Sequence, residues 1–293
     1  MVASEIIGAQ KAAGLPVVVD GMVDWHDIFR VFVRSWRNVS VNGLLRYFDN
    51  NFFYRIPVFT GEPDIIEPVW PQRVRELSLI ADPSTLKIVL PGPVTMAKMS
   101  KTTETGISVE ELARLIANLL RREVELTLEY NVYVQIDEPI LSDRRASPSD
   151  AELAVELAEE IAGPALDRAI IAVYFDFPGR EVLERLVESK IRYIMLDIAD
   201  SPARARENAI PLSGHVPVLG LVDGRRIHTD RLSDKLMKPV RVLAEGAGEI
   251  VVTTTTWMDL IPYRYALKKT MIVSEMVREV ASMLGGEPYY IWG

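Results

Sequence analysis

Carboxylates recur where apolar runs of strand length come to an end. Asp20 closes the Val-rich run that starts at Leu15, and Asp137-Glu138 follows Val132–Ile136. Asp176 follows Ala169–Phe175, Asp197 and Asp200 follow Tyr193–Leu196, and Asp223 follows Val216–Val222. Thr95, Gln135, Tyr174, Arg225 and Trp257 stand at equivalent run ends. Carboxylates brought to one rim can hold an amine, divide acid and base roles, or bind a hard cation. Asp137-Glu138-Pro139 is the best candidate pair, because Pro139 keeps Glu138 out of the helical region beside an otherwise apolar run. The other Asp residues can equally serve as helix caps or loop hydrogen-bond acceptors. Thr253–Thr256 reads as the polar end of a strand.

The rest of the composition narrows the chemistry. The 293 residues contain no cysteine, which removes disulfides, thiol nucleophiles and thiolate metal sites. Only His26, His215 and His228 are available as imidazoles. His26 reads as a cap or surface residue and His215 as structural, while His228 falls in a loop on the rim side. The 41 acidic residues outnumber the 33 basic ones, giving a net charge of −8, a poor match to nucleic-acid binding. No run approaches the length of a membrane span. The first ten residues lack a basic, then apolar, leader pattern. A cytoplasmic protein is expected, and the aromatic tail Tyr289, Tyr290 and Trp292 is expected to pack on the body or on a partner.

Eight strand-length runs alternate with helix-period segments. The runs are Leu15–Met22, Tyr54–Phe59, Leu86–Leu90, Val132–Ile136, Ala169–Phe175, Tyr193–Leu196, Val216–Val222 and Ile250–Thr255. Helices are expected at Asp24–Val33, Pro71–Ala81, Ser108–Asn131, Ser149–Ile161, Arg180–Ser189, Pro202–Asn208, Asp230–Glu245 and Tyr263–Leu284. Ser108 with Glu111 has the capping-box form. Strands that alternate with helices require a parallel sheet, and eight pairs predict one α/β domain over residues 1–293, a single (β/α)₈ TIM barrel. A doubly wound open sheet is the alternative, but no Gly-rich turn follows the first run. In the barrel the run ends named above share the catalytic face.

Particular segments resemble a known family. Val134-Gln135-Ile136-Asp137-Glu138-Pro139 resembles a signature of cobalamin-independent methionine synthase, and Leu90-Pro91-Gly92-Pro93-Val94-Thr95 resembles that family's GPVT turn. The stretch from Tyr47 to Pro57, Val173-Tyr174-Phe175-Asp176 and Gly220-Leu221-Val222-Asp223-Gly224-Arg225 resemble the N-terminal one of that family's two barrels. The resemblance runs from about residue 45 to 265. The family's other barrel binds zinc and the homocysteine thiol. Its His-x-Cys ligand pair aligns here with Ile171 and Val173, its acidic ligand with Asp197, and its last Cys with Thr254–Trp257.

The resemblance therefore implies no metal or cofactor on this chain, zinc on a separate zinc-bearing barrel that acts as partner subunit, and methyltetrahydrofolate as ligand. Arg225 and Arg226 are candidates for the carboxylates of its polyglutamate tail. On its own the chain is expected to fail at methyl transfer. Two alternatives stay open: an independent enzyme acting on another small anionic substrate, and a non-catalytic binding protein of the same fold.

Overall fold

The computed structural model describes residues 2–48, 52–102 and 106–288. The tail residues Tyr289, Tyr290 and Trp292 lie outside them. Six strands form one parallel sheet in sequence order: β3 (Lys87–Pro91), β4 (Tyr133–Asp137), β5 (Ala169–Val173), β6 (Tyr193–Asp197), β7 (Val216–Val222) and β8 (Val251–Thr254). All but the first residues of β3 and β4 and most of β8 are buried. Burial on both faces is what covering helices impose on a parallel sheet, and it explains why these runs are continuously apolar.

The helices come from the segments between. α1 (Val2–Ala12) and α2 (Arg30–Ser35) precede the sheet, with α3 (Trp70–Leu77), α4 (Pro93–Lys98), α5 (Val109–Glu125), α6 (Pro148–Ala162), α7 (Arg180–Val187), α8 (Pro202–Asn208), α9 (Asp234–Leu243) and α10 (Tyr263–Leu284) following. The Ser108–Glu111 capping box forms as expected and starts α5. A second box, Ser147 with Asp150, starts α6. α5 also reaches across to α3: the buried Glu123 carboxylate accepts from the N–H groups of Val69 and Trp70, at 2.9 and 3.0 Å. It thus satisfies donors that a helix start leaves open.

The start of the chain departs from the eight-pair expectation. Tyr54–Phe59 is not a strand of the parallel sheet. It belongs to β2 (Phe53–Ile65), which pairs antiparallel with β1 (Trp36–Arg46) in a separate two-stranded sheet. The sequence carries the reason: Phe53 and Arg55 are exposed while Tyr54 and Ile56 are buried. That alternation belongs to a hairpin with one wet face, unlike the continuous burial of β3–β7. The Leu15–Met22 run contributes one parallel bridge, Val18 beside Leu86, so it neighbours β3 directly. Asp24–Val33 is helical only from Arg30. Before it, Met22 and His26 hold left-handed φ values of 50° and 67°, and Asp27 Oδ1 accepts from Phe29 and Arg30 N–H. The described sheet is therefore six parallel strands, extended at one edge by Val18. No helix among the described residues is long and apolar enough to cross a membrane.

Candidate functional site

The turn after β3 builds the first half of the site. Gly92 N–H donates to the Asp137 carbonyl at 2.7 Å, which draws this turn against the end of β4. A Cβ on Gly92 would lie 2.1 Å from the Glu138 carboxyl carbon and 2.5 Å from the Asp137 carbonyl oxygen. The Pro-Gly-Pro order follows: only a residue without a side chain fits, and Pro93 starts α4 where its missing N–H is no loss. The first turn of α4 then holds Glu138. Its carboxylate accepts from Val94 N–H (2.9 Å), Thr95 N–H (2.8 Å) and the Thr95 hydroxyl (2.6 Å).

A polar chain crosses the sheet from this point. Tyr174 donates to Asp137 Oδ2 at 2.9 Å, and Gln135 Nε2 donates to Asp137 Oδ1 at 2.7 Å. Gln135 Oε1 in turn accepts from Lys87 Nζ at 2.6 Å. Lys87 was not a candidate, because it begins a strand instead of ending one. A lone Lys opening the apolar run Lys87-Ile88-Val89-Leu90 was its only signal. Burial lowers its pKa, against the pull of Asp137.

Asp137 is 2% exposed and Glu138 is fully buried. Burial pushes Asp137 up to about 6, with the Gln135 and Tyr174 hydrogen bonds and the Lys87 charge opposing. Burial pushes Glu138 up to about 7, against the Thr95 and Val94 donors. Both groups thus titrate near neutrality, where a carboxyl can give or take a proton.

The sign of their pH effect is fixed. Their folded pKa values lie above the unfolded ones, so the native state binds more protons between them and their contribution to stability falls as pH rises. Glu138→Gln is expected to remove a declining component of stability between about pH 4.5 and 7. Urea midpoints measured across that range, wild type minus variant, would show it; a flat difference would contradict the buried, protonatable Glu138.

Aromatic side chains close the mouth over these acids. Phe175 packs against Tyr47, Phe52, Tyr174 and Trp257 with ring centroids 4.8 to 5.7 Å apart. Phe48 adds to them, 4.7 Å from Tyr47. Tyr47 and Phe48 follow β1, and Phe52 precedes β2, so the hairpin carries half of this cover. Phe175 and Phe48 hold left-handed φ values of 78° and 49°, a conformation that costs a non-glycine residue free energy and concentrates at functional sites.

A second cluster follows β6 and β7. Asp197 accepts from Phe175 N–H (3.2 Å) and Asp200 N–H (3.1 Å). Burial first, and the neighbouring Asp200 charge second, hold its carboxyl well above the usual range. Arg225 pairs with Asp200 at 2.6 Å and places its guanidinium 5.7 Å from the Phe175 ring centre. Burial works to raise Asp223, but the Arg225 N–H and the Arg226 guanidinium, 2.8 Å away, hold it low.

The structure thus sorts the expected residues. Thr95, Gln135, Asp137, Glu138 and Tyr174 form one network, with Trp257 in its cover. Asp197, Asp223 and Arg225 form another, joined to the first through Phe175. Asp20 belongs to neither: it pairs with Arg73 of α3 at 2.8 Å. Asp176 pairs with Arg204 of α8 at 2.5 Å. His215, with ring nitrogens 2.8 and 2.9 Å from the carbonyls of Ile191 and Val187, has a structural place. Arg225 and Arg226 already hold intramolecular carboxylates. Among the described residues no group of three or more His, Asp or Glu side chains is arranged to hold a metal ion.

With this geometry, comparison with known proteins is informative. The model of the cobalamin-independent synthase N-terminal domain matches residues 20–245. A 5-methyltetrahydropteroyltriglutamate–homocysteine methyltransferase of Streptomyces avermitilis is 30% identical over 225 residues, covering 73% of this chain and 28% of that protein. One from Parvibaculum lavamentivorans is 28% identical, covering 80% and 31%. The chain therefore spans less than a third of these relatives' length. Among solved structures, a B12-independent methionine synthase from Shewanella, in complex with selenomethionine, superposes with a TM-score of 0.76 at 16% identity, covering 96% of this chain and 87% of that one. A putative vitamin-B12-independent methionine synthase from Listeria monocytogenes gives 0.68, also at 16% identity. On the match that covers most of its length, the chain belongs to the cobalamin-independent synthase family, as a representative of its N-terminal domain.

Proposed function

We propose that this chain is the zinc-less barrel of a split methyltetrahydrofolate–homocysteine methyltransferase, serving methionine biosynthesis in the cytoplasm. It contributes folate or polyglutamate binding and orients a separate zinc-bearing barrel. One observation carries the reading: the family match, over residues 20–245, is to the N-terminal domain. The donor set agrees with it. Ile171 and Val173, aligned with the zinc-binding pair, are fully buried core side chains of β5 and offer no metal donor. Thiolate formation on homocysteine needs a metal or a comparable positive field, so that step falls to the partner. In this reading the six parallel strands and the Val18 segment are parts of a closed (β/α)₈ ring.

The expected result is that affinity purification from source cells recovers a barrel bearing a His-x-Cys zinc site. The isolated, zinc-supplemented chain transfers no methyl group from methyltetrahydrofolate to homocysteine, and adding the recovered barrel restores turnover. Turnover by the pure chain would overturn the proposal. It would favour the second reading, an independent enzyme. That reading draws support from the Shewanella protein, a chain of similar extent.

A further inference from the structure

Beside the sealed acids, with Tyr47 in its wall, lies an open groove whose enclosed part measures about 40 Å³. Its walls are aromatic: Trp25 before α2, Phe52 and Phe53 at the start of β2, and Trp257 after β8. Asp27 and Asp259 also line it, and no Lys or Arg does so among the described residues. Asp27 is spent on three backbone N–H groups. Asp259 has no hydrogen-bond or ion-pair partner among the described residues.

Two buried polar atoms on lining residues are unpartnered as well. The Tyr47 hydroxyl and the Trp25 indole N–H have no hydrogen-bond partner among the described residues, though their residues are only 2% and 3% exposed. Buried polar groups are almost always paired, so each such atom marks a contact still to be made.

The pattern specifies an occupant. Aromatic faces attract a cation through the ring quadrupole, and a carboxylate without a counter-charge adds to that attraction. An indole N–H can only donate and so asks for an acceptor on the same molecule. An anionic ligand would meet Asp27 and Asp259 with only the His26 imidazole, and no Lys or Arg among the described residues, to offset them. We propose that the groove binds a small organic cation, an alkylammonium or quaternary ammonium that also carries a hydroxyl or similar acceptor. Its charge lies against the contacting Trp257 and Phe52 rings, with Asp259 as the counter-charge, and its acceptor meets Trp25. The proposal rests on the groove alone and stands or falls independently of the family reading.

Choline and its uncharged isostere 3,3-dimethylbutan-1-ol are the probes, titrated into the whole chain at constant ionic strength and followed by tryptophan fluorescence and calorimetry. The expected result is saturable binding of choline at millimolar concentration, with the isostere at least about fivefold weaker, in line with a partly desolvated cation–π contact. Asp259→Asn, at an exposed position that the fold does not need, weakens choline and leaves the isostere unchanged. Trp257→Ala, checked for native circular dichroism, weakens both. Equal binding of choline and the isostere would make the groove merely apolar and overturn the proposal. So would no binding of choline, or Asp259→Asn binding choline like the wild type.

Discussion

Gly92→Ala is expected to destabilise the protein by about 3 kcal/mol or more, the upper end for overpacking a rigid site. Its melting temperature should fall by roughly 5–10 °C. The added Cβ has nowhere to go, because one clash is with a backbone carbonyl and the other with the Glu138 carboxyl carbon at 2.1 Å. Glu138 cannot swing aside without abandoning three donors at the start of α4, which would then be buried and unsatisfied. The substitution therefore strains the β3–α4 turn and breaks the acid network together. Thermal unfolding beside Gly179→Ala checks it, since a Cβ at Gly179 meets nothing within 4 Å. A Gly92→Ala protein melting with the wild type would refute the close approach.

Lys269→Met is the second large effect. Lys269 of α10 is 1% exposed and pairs at 2.5 Å with Asp230, whose side chain is 5% exposed. Removing the ammonium leaves a carboxylate that still accepts from Asp223 N–H but has lost its nearest counter-charge. His228 stands 3.5 Å away and is half exposed, so it compensates weakly. Breaking one partner of a buried pair typically costs about 3–5 kcal/mol. The double variant Lys269→Met/Asp230→Asn removes both charges and is expected to recover most of that loss. Equilibrium urea unfolding of the four proteins closes the cycle. Single and double variants of equal stability would mean that the stranded charge is not the cause.

The parts of this fold that could be read in the sequence are those where one physical signal dominates. β3 to β7 are buried on both faces, so they show as largely apolar runs, and Ser108 with Glu111 marks the start of α5 without tertiary information. Tyr54–Phe59 misled because a short apolar run says little about its partner; the alternation of Phe53, Tyr54, Arg55 and Ile56 was the better guide. Asp24–Val33 misled because backbone at Met22 and His26 is left-handed, which residue type alone does not announce.

At the site, strand-end position found Asp137, Glu138, Gln135 and Tyr174, since the barrel rule depends on topology. It placed Asp20 and Asp176 there too, but pairing is decided by what faces a residue, and Arg73 and Arg204 lie far away in sequence. Lys87 escaped notice because it starts a strand, and Tyr47 stood out only as the first residue of a segment resembling the family, since it leaves a hairpin. The aromatic cover over the acids could not be foreseen, because it gathers side chains from three separate parts of the chain.

The hairpin is joined to the rest of the molecule sparingly along its backbone. Among the described residues, beyond its own pairing, one parallel bridge, Val58 beside Lys101, ties it to the segment after α4. Its inner end nevertheless supplies Tyr47, Phe48 and Phe52 to the cover over Asp137 and Glu138. The covering piece and the acid-bearing sheet are thus nearly separate modules, with different demands on their sequences. β3–β7 tolerate little change, because all their residues but Lys87 and Tyr133 are buried. β1 and β2 can lengthen, shorten or change composition at their wet face while the sheet stays intact. Divergence in what this chain admits to its acids is therefore expected to accumulate in the hairpin first, and exchange of that hairpin between relatives is the natural way to transplant a specificity.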